Sequence, residues 1–369
     1  MPASSVVPRI VGIGTAVPTT RLDQQQVRDI FAAQPGLDRR TRRLVHAAFD
    51  AAAIDHRHTV LRGLAGADAD DDALVIRAPD GVLLSPGTAA RSAEYRRLAP
   101  GLFADAARQA LREAAVSAAA VTHVITVSCT GVFAPGPDVL LVRDLGLDPR
   151  VERYHHGFVG CAAALPALRA ASRLVAAQPD AVVLVVCAEL CSLHIRVSDD
   201  PQQIVAASVF ADGAAAAVVS GTHEHRRALE LQGFGTVLVP EGEQAMTWTV
   251  GDAGFDMVLS AEVPRLVGRE VREAAAHLAG SDAWAVHPGG RSILDRVAQA
   301  MALDEKAMTP SRRVLRDYGN MSSATILFIL RDLLADDGLP DGATVGALAF
   351  GPGLTVESAR LVRRARDAA

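Results

Sequence analysis

Aromatic side chains make up only 4% of this 369-residue chain, and cysteine occurs four times. A sandwich built on aromatic strands fits that scarcity poorly, whereas abundant glycine and alanine suit helices packed closely on a buried sheet. The cysteines, at positions 129, 161, 187 and 191, lie in apolar or glycine-rich surroundings. They lack the even spacing of a secreted disulfide scaffold, so reduced thiols are expected. Cys187 and Cys191 have no second cysteine pair or spaced histidine pair to complete a zinc site. No apolar run approaches the roughly 20 residues of a membrane span, and MPASSVVPRIVGIG has no charged segment leading into a long apolar one. A soluble cytoplasmic protein is expected. Positive charge is not in excess either: the formal net charge of −5 gives no global attraction for nucleic acid or an anionic membrane. An anionic ligand has to be met by local arginines, and Arg39, Arg40, Arg42 and Arg43 form such a cluster.

What is present is a chain half hydrophobic, long enough for one double-size domain or two intimate ones. Apolar runs at 122–128, 181–187, 214–220, 283–287 and 344–350 read as strands. Stretches of helical period lie at 104–119, 162–177, 263–278, 292–302 and 321–335. Strands alternating with helices predict an α/β fold with helices on both faces of a mostly parallel sheet. The segment 66–81, GADADDDALVIRAPDG, carries five aspartates and ends in a Pro-Asp-Gly turn, the pattern of a solvated loop. A softer boundary near 221–233 divides the chain into 1–222, carrying Cys161, and 223–369, carrying His287 and Asn320. No strong internal repeat is visible. GIGTAVP at 12–18 faintly resembles a dinucleotide loop but lacks its third glycine and a placed ribose-binding acid. The histidine pairs 56/58, 155/156 and 223/225 have no further ligand at metal spacing and are read as solvent-facing or locally hydrogen-bonded.

Cys161 follows a glycine and precedes a helical alanine and leucine pattern, which puts its sulfur at a helix N-terminus. The unpaired N–H groups there favour thiolate and predict a lowered pKa. His287 ends the strand-like AWAV and is followed by Pro288-Gly289-Gly290, so its ring is expected at the carboxyl edge of the sheet, where ligands bind. Asn320 follows the turn Tyr318-Gly319 and, taken singly, is also a good helix cap. Together the three have a chemical logic: a thiolate to carry an acyl group, with imidazole and carboxamide N–H donors to hold an oxyanion. The same donors fit the enolate left when a malonyl thioester loses carbon dioxide. No metal or organic cofactor is needed for that chemistry.

Five blocks, in order, carry a resemblance: GFVGCAAALPALRAA, VFADGAAAAVV, WAVHPGGRSILDRV, YGNMSSATILFIL and FGPGLTVE. Along nearly its whole length the chain resembles the type III polyketide synthases, including chalcone synthases and their bacterial relatives. The resemblance implies the duplicated thiolase fold, layered α/β/α/β/α, in a homodimer. It makes Cys161 the acyl-carrying nucleophile, His287 and Asn320 its partners, and Phe210 a gatekeeper between a coenzyme A tunnel and the cavity. It brings Ser322 and Cys129 to the cavity and Gly289 and Gly290 to coenzyme A. Gly351, Pro352 and Gly353 shape a structural loop beneath the site. The chain departs from plant members at Met257, His194 and Ala134, which stand for a second gatekeeper phenylalanine, a cavity threonine and a methionine that reaches into the partner's cavity. Leu44, Ala47 and Ala51 stand where plant members bind coenzyme A phosphates, leaving Arg57 or an arginine of the cluster, such as Arg43, for that role. Similarity to bacterial alkylpyrone and alkylresorcinol synthases points to a long-chain acyl starter, with Met257 and Ala134 suiting an alkyl tunnel. The rivals are a single-round β-ketoacyl synthase of the same fold and an inactive binding homologue.

Overall fold

The computed structural model describes residues 6–65, 74–223 and 226–365. Residues 66–73 of the aspartate-rich segment 66–81, and His225 of the third histidine pair, lie outside the described residues; the turn that closes the segment is present, with Gly81 N–H bonded to Ala78 O at 2.8 Å.

A nine-stranded sheet runs through the chain. At one edge Glu152–Gly157, His123–Ser128 and Val182–Leu190 are parallel neighbours. Asp212–Ser220 pairs antiparallel with the last of these, and Arg9–Ala16 pairs antiparallel with Asp212–Ser220, so four of these five strands point one way. The sheet continues through a short antiparallel link from Arg9–Ala16 to Arg227–Leu238. Thr355–Ala365 then pairs antiparallel on both sides, and Ala283–Val286 lies parallel to Thr344–Gly351 at the far edge. Three of these four strands share a direction. Each half is thus mainly one-way with a single reversed strand, and the expected parallel character holds within halves rather than across every ladder. The position 222/223 falls in the connection from Ser220 to Arg227.

Alternation along the strands builds the layers. In Val182–Leu190, Val183, Val185 and Cys187 face one core while Val182, Leu184 and Val186 face another, as the two-residue period of a strand requires. The first core also takes Val345, Ala347 and Ala349 from the second half, and encloses the helices Ala164–Ala177 and Thr325–Ala335. The second packs the first half on the helix Thr88–Glu113. A third packs Leu348, Phe350 and Val286 on the helices Val263–Ala274 and Arg291–Met301. Helix, sheet, helices, sheet, helices is the α/β/α/β/α layering.

The five strands read from the sequence are present within two or three residues at each end. The helix expected at 104–119 instead spans Thr88–Glu113. It runs through Pro100 and Gly101, which act as breakers in a sequence reading, because Arg91, Tyr95, Ala99 and Phe103 bury one continuous face. The GIGTA part of GIGTAVP belongs to the strand Arg9–Ala16, and its glycines have a packing role. A Cβ on Gly14 would lie 2.2 Å from Ala110 N and 2.4 Å from Ala106 O of the long helix. Among the described residues no helix is long and apolar enough to cross a membrane, and no group of three His, Cys, Asp or Glu side chains is placed to hold a metal.

Gly14→Ala is therefore expected to lower the unfolding free energy by about 1–3 kcal/mol, the usual cost of overpacking. Urea denaturation with unchanged slope and a lower midpoint is the expected reading; an unaltered midpoint would mean that the helix backbone gives way freely.

Candidate active site

Each of the three chemical side chains sits at the end of a regular element. The edge strand Glu152–Gly157 leads through Phe158, at φ 57°, to Gly160, at φ 70°, and then to Cys161 in the 3-10 turn Gly160–Ala162. The helix Ala164–Ala177 follows, so the thiol does stand at a helix start. His287 comes directly after the strand Ala283–Val286; its N–H bonds Leu348 O at 2.8 Å, and Ser311 Oγ accepts from Val286 N at 2.9 Å. Asn320 follows Gly319, at φ 72°, and bridges to the other half: its N–H bonds Val209 O at 2.8 Å, and Ala211 N–H bonds Asn320 O at 2.9 Å. That bridge lays Phe210 beside Asn320.

The three converge on one cavity of about 480 Å³, which Cys129, Phe210, Met257 and Ser322 also line. Cys161 Sγ lies 3.8 Å from Asn320 Oδ1 and 3.9 Å from Asn320 Nδ2. Asn320 Oδ1 accepts the Ser322 N–H at 2.8 Å, which fixes the carboxamide and leaves Nδ2–H toward the thiol. His287 is 1% exposed, and neither ring nitrogen has a hydrogen-bond partner among the described residues. A buried imidazole without partners is costly unless a ligand supplies them.

Burial sets the charge states. It pushes the Cys161 thiol up to about 11, against opposing hydrogen bonds from Ser322 and Asn320. The expected lowering of this thiol is thus overturned: loss of solvation outweighs the helix start. Burial also lowers His287 to about 3, keeping its ring neutral near pH 7.

A carboxyl group that the sequence reading missed lies just beneath. Glu189 is fully buried and accepts from Cys129 N and Thr130 Oγ1, both at 2.9 Å, and from Ser323 Oγ. Burial still raises it to about 7, and its charge opposes ionisation of Cys161. Its signal was a lone acid in the apolar run AVVLVVCAEL.

Other expected residues are placed differently. His194 does not line the main cavity; it stacks on Phe255 at 4.1 Å between ring centroids, with Trp248 edge-on at 6.2 Å. The His194 Nε2 atom is 2.7 Å from Thr130 O, while Nδ1 accepts the Phe255 N–H at 3.1 Å. With both nitrogens occupied and burial lowering it to about 4, the ring stays neutral and fixed. Ala134 is on the surface, outside this chain's cavity. Arg57 cannot reach a coenzyme A phosphate: it is 5% exposed, its Nη1 is bound to Ala207 O and Phe210 O, and it lies over the Phe49 ring. Arg43 is exposed on the helix Arg39–Ala51 but does not line the cavity. Gly289 lines the cavity, and Gly290 precedes the helix Arg291–Met301. The loop Gly351-Pro352-Gly353 has its structural role: a Cβ on Gly160 would lie 2.4 Å from Pro352 Cδ, and one on Gly351 would lie 2.7 Å from Val159 O.

Comparison with known proteins agrees with this geometry. Residues 3–223 match the model for the N-terminal domain of chalcone and stilbene synthases, and residues 230–364 match that for the C-terminal domain. The chain belongs to this family, the type III polyketide synthases. It is 31% identical over 371 residues to 3,5-dihydroxyphenylacetyl-CoA synthase of Streptomyces toyocaensis, covering 95% of this chain and 89% of that one. It is 29% identical over 363 residues to probable polyketide synthase 1 of Dictyostelium discoideum, a match across 94% of this chain but only 11% of that much longer protein. The crystal structure of PKS-I from the brown alga Ectocarpus siliculosus superposes with a TM-score of 0.91 at 28% identity, covering 98% of this polyketide synthase and all of that chain.

Two measurements follow from the charge states. Iodoacetamide alkylation of Cys161 in the ligand-free protein is expected to accelerate continuously from pH 7 to beyond pH 9, as a raised thiol pKa requires; a rate already level at pH 7 would mean a resting thiolate. Glu189 holds its proton to about pH 7 in the folded chain, against an ordinary value of 4.5 when unfolded. The unfolded chain therefore releases the proton first, and stability falls as pH rises between those values, by about 3 kcal/mol in total. Urea unfolding of Glu189→Gln should lack that decline; parallel profiles for parent and variant would contradict it.

Proposed function

We propose that this polyketide synthase loads an acyl group from its coenzyme A thioester onto Cys161 and extends it by decarboxylative condensation with malonyl-CoA. The observation that carries the proposal is one apolar cavity shared by a thiol, an unpartnered buried imidazole and an oriented carboxamide. In loading, Cys161 Sγ attacks the thioester carbonyl while neutral His287 takes the thiol proton. The C–S bond to coenzyme A breaks, and the departing thiolate receives that proton. Transfer through the imidazole removes the need for a resting thiolate.

In extension, the malonyl C–C bond to the carboxylate breaks and carbon dioxide leaves. The electron pair forms an enolate whose oxygen is held by N–H groups of His287 and Asn320. The enolate carbon attacks the acyl carbonyl on Cys161, the C–S bond breaks, and the released thiolate takes a proton from water to restore the neutral thiol, ready to be loaded again. Two or three rounds followed by lactone or aldol closure give a pyrone or resorcinol. No metal or organic cofactor enters this scheme.

A long-chain starter is supported by the apolar lining, in which Val205, Met246, Met257, Leu259 and Ile293 surround a volume within the usual range of about 300–1,000 Å³ for ligand pockets. One observation favours a second reading, a short starter: His194, Trp248 and Phe255 wall off the space behind the cavity, leaving only about 20 Å³ there. Homodimerisation is supported by the outer edge strand Glu152–Gly157, which has no sheet partner on its far side among the described residues and carries exposed Tyr154, with exposed Phe158 just after it. Cytoplasmic residence fits reduced cysteines and coenzyme A substrates.

Incubation of purified protein with malonyl-CoA and acyl-CoA starters from acetyl to palmitoyl, followed by mass spectrometry, tests the proposal. Cyclised tri- and tetraketides of long-chain starters are expected, all absent with Cys161→Ala. Turnover confined to short starters would replace the long-chain reading; single-round thioester products would replace polyketide synthesis itself.

A further inference from the structure

The cavity runs from half-buried Cys161 and buried His287 to an exposed mouth formed by Pro201, Val205, Ala261, Ser292 and Arg296. Arg296 is the one Lys or Arg side chain among the described residues that line it. The chain holds a single lysine, Lys306, outside that lining, so cationic recognition at the mouth falls to arginine.

Four neighbouring arginines already face a carboxylate, and Arg272 is held by the Ala300 carbonyl. Arg265 pairs with Glu262 at 3.8 Å, Arg269 with Glu241 at 3.3 Å, Arg291 with Asp295 at 3.5 Å, and Arg312 with Asp295 at 2.8 Å. Arg296 makes no ion pair among the described residues and bonds only the neutral Gln299 carboxamide, at 3.2 Å. Its stem lies along the helix Val263–Ala274, where a Cβ on Gly268 would sit 3.6 Å from Arg296 Cβ and 3.7 Å from its Cδ. An uncompensated guanidinium held by its stem at the mouth of a thioester cavity is suited to a phosphate-bearing ligand.

We infer that Arg296 binds the phosphate groups of the incoming coenzyme A thioester, taking the role that the sequence reading gave to Arg57 or Arg43. The inference rests on the condensing reading above. Arg57 is committed to backbone carbonyls in the core. The guanidinium of Arg296 meets phosphate outside the cavity while the thioester end reaches Cys161.

The test compares Arg296→Ala, Arg296→Glu and Arg296→Lys with the parent. Steady-state kinetics are measured with malonyl-CoA and with malonyl N-acetylcysteamine, which keeps the thioester but has no phosphate. Binding of free coenzyme A is measured by calorimetry. The alanine variant should raise KM for malonyl-CoA and Kd for coenzyme A about tenfold, the scale of one charge-assisted hydrogen bond. The glutamate variant should raise both further, lysine should restore part of the loss, and kcat and the phosphate-free KM should stay near parental values. Unchanged coenzyme A binding in the glutamate variant, or an equal rise in KM for both thioesters, overturns the assignment. Arginine-dependent coenzyme A binding without any condensation by the parent would sustain the phosphate site while sinking the condensing reading.

Discussion

Gly160 and Gly351 lie where two turns from opposite halves of the chain press together. A single methyl group on either would collide, at 2.4 Å with Pro352 on one side and 2.7 Å with Val159 O on the other. Gly160 also requires a positive φ that other residues adopt only with strain. The contact determines where the thiol sits. The first half supplies the cysteine from its edge strand, the second supplies the imidazole and carboxamide from its own strand and helix ends, and the close approach brings these together. The Asn320 and Phe210 backbone bridge ties the opposite side. Separate halves, each well folded, would hold no site.

That convergence lies mostly out of solvent, and lost solvation governs its charge states. Thiol, imidazole and the Glu189 carboxyl are all displaced toward their neutral forms by burial. The partial charge of a helix start, worth up to about 2 kcal/mol in partly buried geometries, does not offset the solvation lost by a buried thiolate. Neutrality serves the proposed reaction, because a neutral imidazole both accepts a thiol proton and presents an N–H to an oxyanion. The low dielectric that suppresses resting charge strengthens those contacts once substrate brings charge to the site.

Much of this was legible because buried strands and amphipathic helices impose distinct periods. Val182–Leu190 and Thr344–Gly351 are nearly continuous apolar runs since both of their faces are covered. The edge strand Glu152–Gly157, with its ERYHHG sequence, was not legible: it is mostly exposed and carries no such pattern. Thr355–Ala365 was hidden by Glu357, Arg360, Arg363 and Arg364, which interrupt its apolar pattern although Glu357 and Arg363 are themselves buried. The triad residues were found through their blocks and their chemistry, and the structure brings all three to one cavity. Side-chain direction was the information missing elsewhere. An arginine flanked by histidines in HRHT reads as a surface cation, yet Arg57, within the strand His56–Thr59, points into the core to satisfy the carbonyls left open where Pro201–Val209 ends at Phe210.

His194 shows how one such direction shapes the space around the site. A histidine at a cavity position reads as polar lining, but both nitrogens are tied to backbone, so the ring behaves as a rigid aromatic plate. Phe255 stacks on one face, and Trp248 meets both edge-on while also contacting Phe210. Four rings locked through two backbone hydrogen bonds make a wall that flexible side chains could not provide, since shifting any ring forfeits contacts with the others. Met257, in contrast, lines both the main cavity and the small space behind it. The cavity is therefore stiff where the aromatic rings close it and adaptable at Met257, so added volume is most readily found along the methionine side.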